Sequence, residues 1–234
     1  FLPPDDKRIV IRNQFRTLDI KQLIEMNEGW SFELYAGMQD KEQTKDMLFT
    51  GPSSSDPSID GYVDVFYRER RNNAGIDFKW TDMQKHNVLL GIEYVDINVD
   101  HELNEYIESG VVLYDWAFVS EDKRRCIRST TFQEEWRPVD AITVTLGLRY
   151  DDYNDIDSET SPRLATVWRM DQNNIFKAQY ARAFRPPTFY EMAAAITEVD
   201  GSIINTFELG YIHKKNDTEY SVTLFNSEID KFID

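Results

Sequence analysis

The strictest constraint on this chain is a two-residue rhythm. In "ITVTLGLRY" (142–150), Ile142, Val144, Leu146, Leu148 and Tyr150 fall on one side, while Thr143, Thr145, Gly147 and Arg149 fall on the other. An extended strand sends successive side chains to opposite faces, so this pattern reads as a strand with one apolar and one polar face. "FELGYI" (207–212), "IDFKW" (76–80) and "VLLGIEY" (88–94) repeat it. So do "SFELYAGM" (31–38), "RLATVWRM" (163–170), "NIFKAQYARAF" (174–184) and "EYSVTLF" (219–225). "RIVIRNQFRTLDI" (8–20) and "IRSTTFQEEW" (127–136) are less regular. The expectation is an all-β antiparallel chain of about ten strands, with a helical turn or two near "FYEMAAA" (189–195).

Connections between these segments alternate in length. Short polar ones are "NEG" (27–29), "DMQK" (82–85), "RPVD" (137–140), "DQNN" (171–174) and "KKND" (214–217). Between them lie long ones, at 39–72, 98–126, 151–161 and 185–205. Transmembrane β-barrels are built this way, with short periplasmic turns and long extracellular loops. A barrel also turns its apolar face to lipid and its polar face to a wet lumen, with aromatics at both interfaces. Tyr94, Tyr150, Trp80, Trp168, Tyr211 and Trp136 lie near the ends of apolar faces. The polar faces carry Glu33, Asp77, Lys79, Glu93, Arg149, Arg163, Arg169, Lys177, Gln179 and Glu208. Charges on nearly every inner face are costly in a dry core and tolerated in a hydrated lumen. A soluble or surface β-sheet that binds or adheres is the competing reading, since alternation alone also suits a sheet with one face in water.

Composition removes other classes. A formal charge of −16 speaks against a nucleic-acid partner, which needs clustered Lys and Arg. One cysteine, Cys126, and three histidines provide neither an internal disulfide nor a Cys/His metal cage. The acidic stretches "DDYNDID" (151–157) and "SSSDPSID" (53–60) match no ordered calcium loop and read as solvated surface. No apolar run reaches the length of a membrane helix. A glycan hydrolase using Glu134 and Glu135 fails on geometry, because strand neighbours point to opposite faces and cannot flank one bond. The opening "FLPPDDKR" lacks the basic and apolar regions of a signal peptide.

"KAQYARAFRPPTFYEM" (177–192) runs a strand pattern into Arg185, Pro186 and Pro187. If "DQNN" is periplasmic, the strand rises to the outer surface and the prolines set where the ladder ends. Together with the preceding "SPRLATVWRMDQNNIF" (161–176), this stretch resembles the mid-barrel signature of TonB-dependent outer-membrane receptors. The resemblance rests on Ser161, Pro162, Arg163, Lys177, Ala178, Tyr180, Arg182, Phe184, Arg185, Pro187 and Glu191. "FQEEWRPVDAITVTLGLRYDDYND" (132–155) is similar to the strand pair before that signature, and "NTFELGYIHKKNDTEYSVTLFNSEIDKFI" (205–233) to the pair after it. "KHNVLLGIEY" (85–94) is similar to an earlier strand.

Receptors of that family have about 22 strands around a plugged lumen. The expectation is therefore a single partial β-barrel domain over 1–234, without a plug domain. The resemblance implies no enzyme and no cofactor. It implies transport of a scarce nutrient, most often a ferric siderophore, across the bacterial outer membrane. Its partners would be outer-membrane lipid, a small-molecule iron chelate, and a TonB-type energy-coupling protein acting through a plug. Candidate ligand contacts are Arg149, Tyr153, Arg182, Arg185, Phe189 and Tyr190, near upper strand ends. Arginines suit an anionic chelate and aromatics a planar one. The competing role for the three arginines is pairing with acidic wall residues, and for Tyr190 packing of its loop.

Overall fold

The structure is a computed structural model and describes residues 9–26, 29–49, 61–108, 111–117, 119, 123–195 and 199–230. Among these residues, eleven strands and one short helix follow in the order β1 (Ile9–Glu25), β2 (Trp30–Phe49), β3 (Gly61–Met83), β4 (His86–Glu108), β5 (Val111–Trp116), β6 (Lys123–Val139), β7 (Ile142–Tyr153), β8 (Glu159–Arg169), β9 (Asn174–Arg185), α1 (Phe189–Ala194), β10 (Ser202–Lys215) and β11 (Thr218–Asp230). They form one sheet in the order β1-β2-β3-β4-β6-β7-β8-β9-β10-β11, with β5 pairing to β4. Each neighbouring pair from β6 to β11 is antiparallel.

All ten expected strands are present, and the short connections that the described residues cover in full are tight turns at one end of the strands. Lys85 (φ 70°) and Asn216 (φ 51°) take the left-handed backbone that two-residue hairpin turns demand. The expected long connections are corrected. β2 continues to Phe49, β3 already starts at Gly61 and β4 runs to Glu108, so most of 39–72 and 98–126 is strand, including the unexpected β5. The ends of β2, β3 and β4 carry charged residues that interrupt the hydrophobic alternation, and β5 is apolar at successive positions, so neither shows the two-residue rhythm although the backbone ladder persists. The acidic stretch at 53–60 lies outside the described residues.

The chain divides into two compact units. The first comprises 1–19, 37–73 and 96–125. Here the strands are tied by charge: Asp40 receives Arg16 (3.5 Å) and Arg68 (3.3 Å), Arg70 reaches Asp100 (3.4 Å), and Arg124 binds Asp96 (2.6 Å). Glu102, only 5% exposed, accepts the Val119 N–H at 2.6 Å and an Asn104 N–H at 3.0 Å. A buried carboxylate is stable only with such donors.

The second unit comprises 20–36, 74–95 and 126–234. Directly paired residues in a ladder share a face. In register, Val144–Thr166, Leu146–Leu164, Leu164–Tyr180, Trp168–Phe176, Phe176–Tyr211 and Leu209–Leu224 are partners, so the apolar residues form one continuous side. That side is open to the surroundings: Ile92 is 63% exposed, Leu148 47% and Leu209 51%. No dry core holds them. The stretch 142–150 has the nine residues that a tilted barrel strand needs to cross a bilayer, about 9–11.

The opposite side is polar, as expected. Arg163, Arg169, Lys177, Gln179 and Glu208 alternate with the apolar set in register, and Gln179 donates to Glu208 across strands (3.0 Å). Glu33 bridges Lys21 (3.0 Å) and Lys79 (3.3 Å) on that side. Trp30 stacks on Trp80 with ring centroids 4.6 Å apart, at the short-turn ends of β2 and β3. Glu134 binds His86 (2.6 Å) while Glu135 binds Arg137 (2.7 Å), which confirms that this carboxylate pair diverges.

Candidate functional site

The polar side of the second unit ends, away from the short turns, in a knot around Arg149. β7 places Arg149, Asp151 and Tyr153 on one face by two-residue steps, and its register with β6 puts Ser129 opposite Asp151. Arg149 Nε donates to both Asp151 oxygens (2.9 and 3.1 Å), and Nη2 donates to Ser129 Oγ (2.8 Å) and Glu93 (3.3 Å). Ser129 Oγ in turn donates to Asp151 Oδ1 at 2.5 Å. Ser129 and Asp151 are 2% and 8% exposed, so the knot's base is fixed while the Arg149 side chain remains 42% exposed. Two carboxylates against one guanidinium leave the cluster with a net negative charge. Arg149 therefore presents donors already engaged rather than a free cation.

A second feature grows from the end of β9. Arg185 forks onto Glu191, Nη1 to Oε2 at 3.1 Å and Nη2 to Oε1 at 2.9 Å. Glu191 Oε2 also accepts the Thr188 N–H (2.7 Å), and Thr188 Oγ1 accepts the Glu191 N–H (3.2 Å), a reciprocal cap on α1. Pro186 and Pro187 set the direction between the clasp's two halves, and Pro187 is fully buried. The guanidinium of Arg185 is the main reason the Glu191 carboxyl is held down to about 2, and the Thr188 bonds add to it. Phe189 is buried and Tyr190 is 53% exposed, so α1 anchors through one ring and offers the other. Gly201 passes so close to β9 that a Cβ there would strike the Phe184 ring and come 2.7 Å from the Arg185 carbonyl.

The six candidate residues thus fall into three places. Arg149 and Tyr153 share the polar side, and the Tyr153 ring meets Phe184 edge-on at 5.9 Å. Arg185, Phe189 and Tyr190 belong to the clasped loop. Arg182 stands apart: its register partner on β10 is Asn205, on the apolar side with Tyr180, and it reaches the Thr160 carbonyl (3.0 Å) and Glu159 (3.0 Å). All three arginines are ion-paired. Of their partners, Ser129 and Glu159 escaped the sequence reading, and Asp151, expected in a solvated acidic stretch, is only 8% exposed; Ser129 lies in the irregular "IRSTTFQEEW" segment, where face could not be assigned, and register alone brings it to Asp151. Among the described residues no group of His, Cys, Asp and Glu is arranged to hold a metal ion.

This architecture can be compared with known proteins. Three solved structures similar to it are the siderophore receptor PirA from Acinetobacter baumannii, the ferric yersiniabactin uptake receptor FyuA from Yersinia pestis, and the copper transporter OprC. PirA is 16% identical with a TM-score of 0.68, covering 95% of this chain and 35% of its own. FyuA is 11% identical with a TM-score of 0.66, covering 94% and 36%. OprC is 11% identical with a TM-score of 0.72, covering 93% and 38%. At these identities the likeness establishes the fold, and the chain spans little more than a third of each relative's length. No curated protein matches the chain. The family model described as TonB dependent receptor-like, beta-barrel matches residues 4–234. An exposed apolar side, a polar one opposite it, short turns at one end and a match along nearly the whole chain lead to one conclusion: this chain belongs to the TonB-dependent receptor β-barrel family of the bacterial outer membrane.

Proposed function

We propose that the chain supplies part of the wall of an outer-membrane transport receptor that captures a scarce nutrient, a ferric siderophore, and takes it up with energy from a TonB-type partner acting through a plug. It performs no catalysis. The observation that carries this reading is the inverted sheet of the second unit, whose apolar side is exposed and whose polar side is cross-linked by charge. Such a wall suits hydrocarbon outside and water inside. The ligand-facing surface is the outer end of the polar side, with Tyr153 and the clasped loop's Tyr190 as aromatic contacts. Arg149 acts as a donor whose carboxylate partners can be exchanged for those of an anionic chelate. Arg185 and Arg182 hold loop and strand ends in position.

Iron-limited cells with and without the gene, supplied with ferric chelates of catecholate, hydroxamate and phenolate type, test the reading. One chelate should support growth only when the gene and a working TonB system are both present. Uptake of every iron chelate unchanged by deletion would overturn the iron assignment. Uptake that persists without TonB would overturn the energised mechanism.

A further inference from the structure

The apolar side of the second unit is not uniformly smooth. Across β8, β9, β10 and β11 it is indented by a groove of about 370 Å³ with an almost wholly apolar lining. Ala178 and Thr166, small residues that are partners in register, leave the depression; Leu209 borders it on β10. Toward the short turns it is closed by a shelf of rings, Trp168 against Phe176 (centroids 5.6 Å) and Phe176 against Tyr211 (4.8 Å). The Tyr211 hydroxyl donates to Asn174 Oδ1 in the adjoining turn (2.6 Å), so this ring lies with its polar tip toward water. Two and four residues further along the same side of β10 stand His213 and Lys215. Lys214 on the other side is paired with Glu219 (3.0 Å), whereas Lys215 has no ion pair among the described residues. The nearby Asp171 carboxylate is engaged by the Asn173 and Asn174 N–H groups and the Asn174 side chain.

We propose that this groove seats one acyl chain of an anionic phospholipid of the periplasmic leaflet, with Lys215 and His213 receiving the headgroup phosphate. The occupant follows from placement. The groove opens on the lipid-facing side, its lining surface is almost wholly apolar, and Lys215 lies beyond its short-turn end, where a barrel strand leaves the membrane on the periplasmic side. Lysine suits this position because its methylene stem lies along apolar surface while the ammonium reaches the interface. The seat is independent of what the receptor transports.

Native mass spectrometry of the natural-length protein, purified in detergent and stripped of lipid, tests the seat. Dioleoylphosphatidylglycerol, dioleoylglycerol and glycerol 1-phosphate are added separately. One phosphatidylglycerol should remain bound under activation that removes all others, dioleoylglycerol should be held about tenfold less, and glycerol phosphate not at all. Ala178→Phe, and independently Thr166→Trp, fill the groove and should lower phosphatidylglycerol occupancy about tenfold; Lys215→Glu should remove the preference over dioleoylglycerol. Folding is checked by the mobility of the unheated protein on a denaturing gel. Equal phosphatidylglycerol occupancy in wild type and a folded groove-filling variant would overturn the acyl-chain seat. Unchanged headgroup preference in Lys215→Glu would overturn the phosphate contact.

Discussion

The two units use the same two-residue backbone rhythm but differ in burial: Val99, Tyr106, Ile107 and Val119 are buried in the first, whereas the second leaves its apolar side open. In the second, exposed residues are Ile92, Leu148, Leu209 and Leu224. In the first, charged side chains such as Arg16, Asp40, Arg68, Arg70 and Asp100 link neighbouring strands. Backbone pairing is indifferent to this contrast, but the surrounding solvent is not. Hydrocarbon excludes unpaired charge, so strands that cross it carry apolar side chains outward. Strands in water need not, and hold each other through ion pairs that are individually weak and gain from forming a network.

The largest expected effect breaks this contrast in the second unit. Leu146→Arg places a cation on the apolar side of β7, and unfolding from lipid vesicles in denaturant should show a loss of about 2–4 kcal/mol, the cost near a bilayer midplane. A loss below about 0.5 kcal/mol would mean that this side faces water. Next, Glu102→Ala in the first unit leaves the Val119 N–H unsatisfied and removes one of the two bonds of the Asn104 amide, the other running to the Trp116 carbonyl, with an expected cost of about 1–3 kcal/mol. Hydrogen exchange at Val119 should quicken correspondingly.

The clasp gives a smaller, local effect with a defined pH dependence. Because the Glu191 carboxyl is depressed to about 2, its contribution is fully present above the ordinary carboxylate value near 4.5 and is lost as pH falls through about 2. Limited proteolysis at the α1 loop should therefore be as slow at pH 4.5 as at pH 7, whereas Glu191→Ala should speed cleavage at both. The smallest effect is expected for Val112→Lys on β5, where the side chain is already 47% exposed in the first unit: within about ±0.5 kcal/mol. A cost comparable to Leu146→Arg there would erase the distinction between the units.

Much of this was legible in single residues. "ITVTLGLRY" settles which side each member of β7 takes, because a strand has no freedom to do otherwise, and Asn216 marks its turn because left-handed backbone is least costly there for asparagine among residues with a side chain. The clasp was half visible: Arg185, Pro187 and Glu191 stood out, but not that the arginine forks onto that glutamate. β5 and the long ends of β2, β3 and β4 were invisible, since charged residues interrupt the hydrophobic rhythm of those ends and β5 is apolar at successive positions. That Arg182 shares the side of Tyr180 follows from its even position in β9, which nearness to a strand end does not reveal.

The amino-acid sequence by itself determined local geometry: period two, turn positions, proline exits and the polarity of each face. These follow from sterics within a few residues. Only the tertiary structure decided which polar groups meet, as Ser129 meets Asp151 and Arg149 meets Glu93, and that the apolar side stays open rather than closing into a core. Both depend on strand register and on what the sheet faces, and these are set by pairing between segments far apart in the chain.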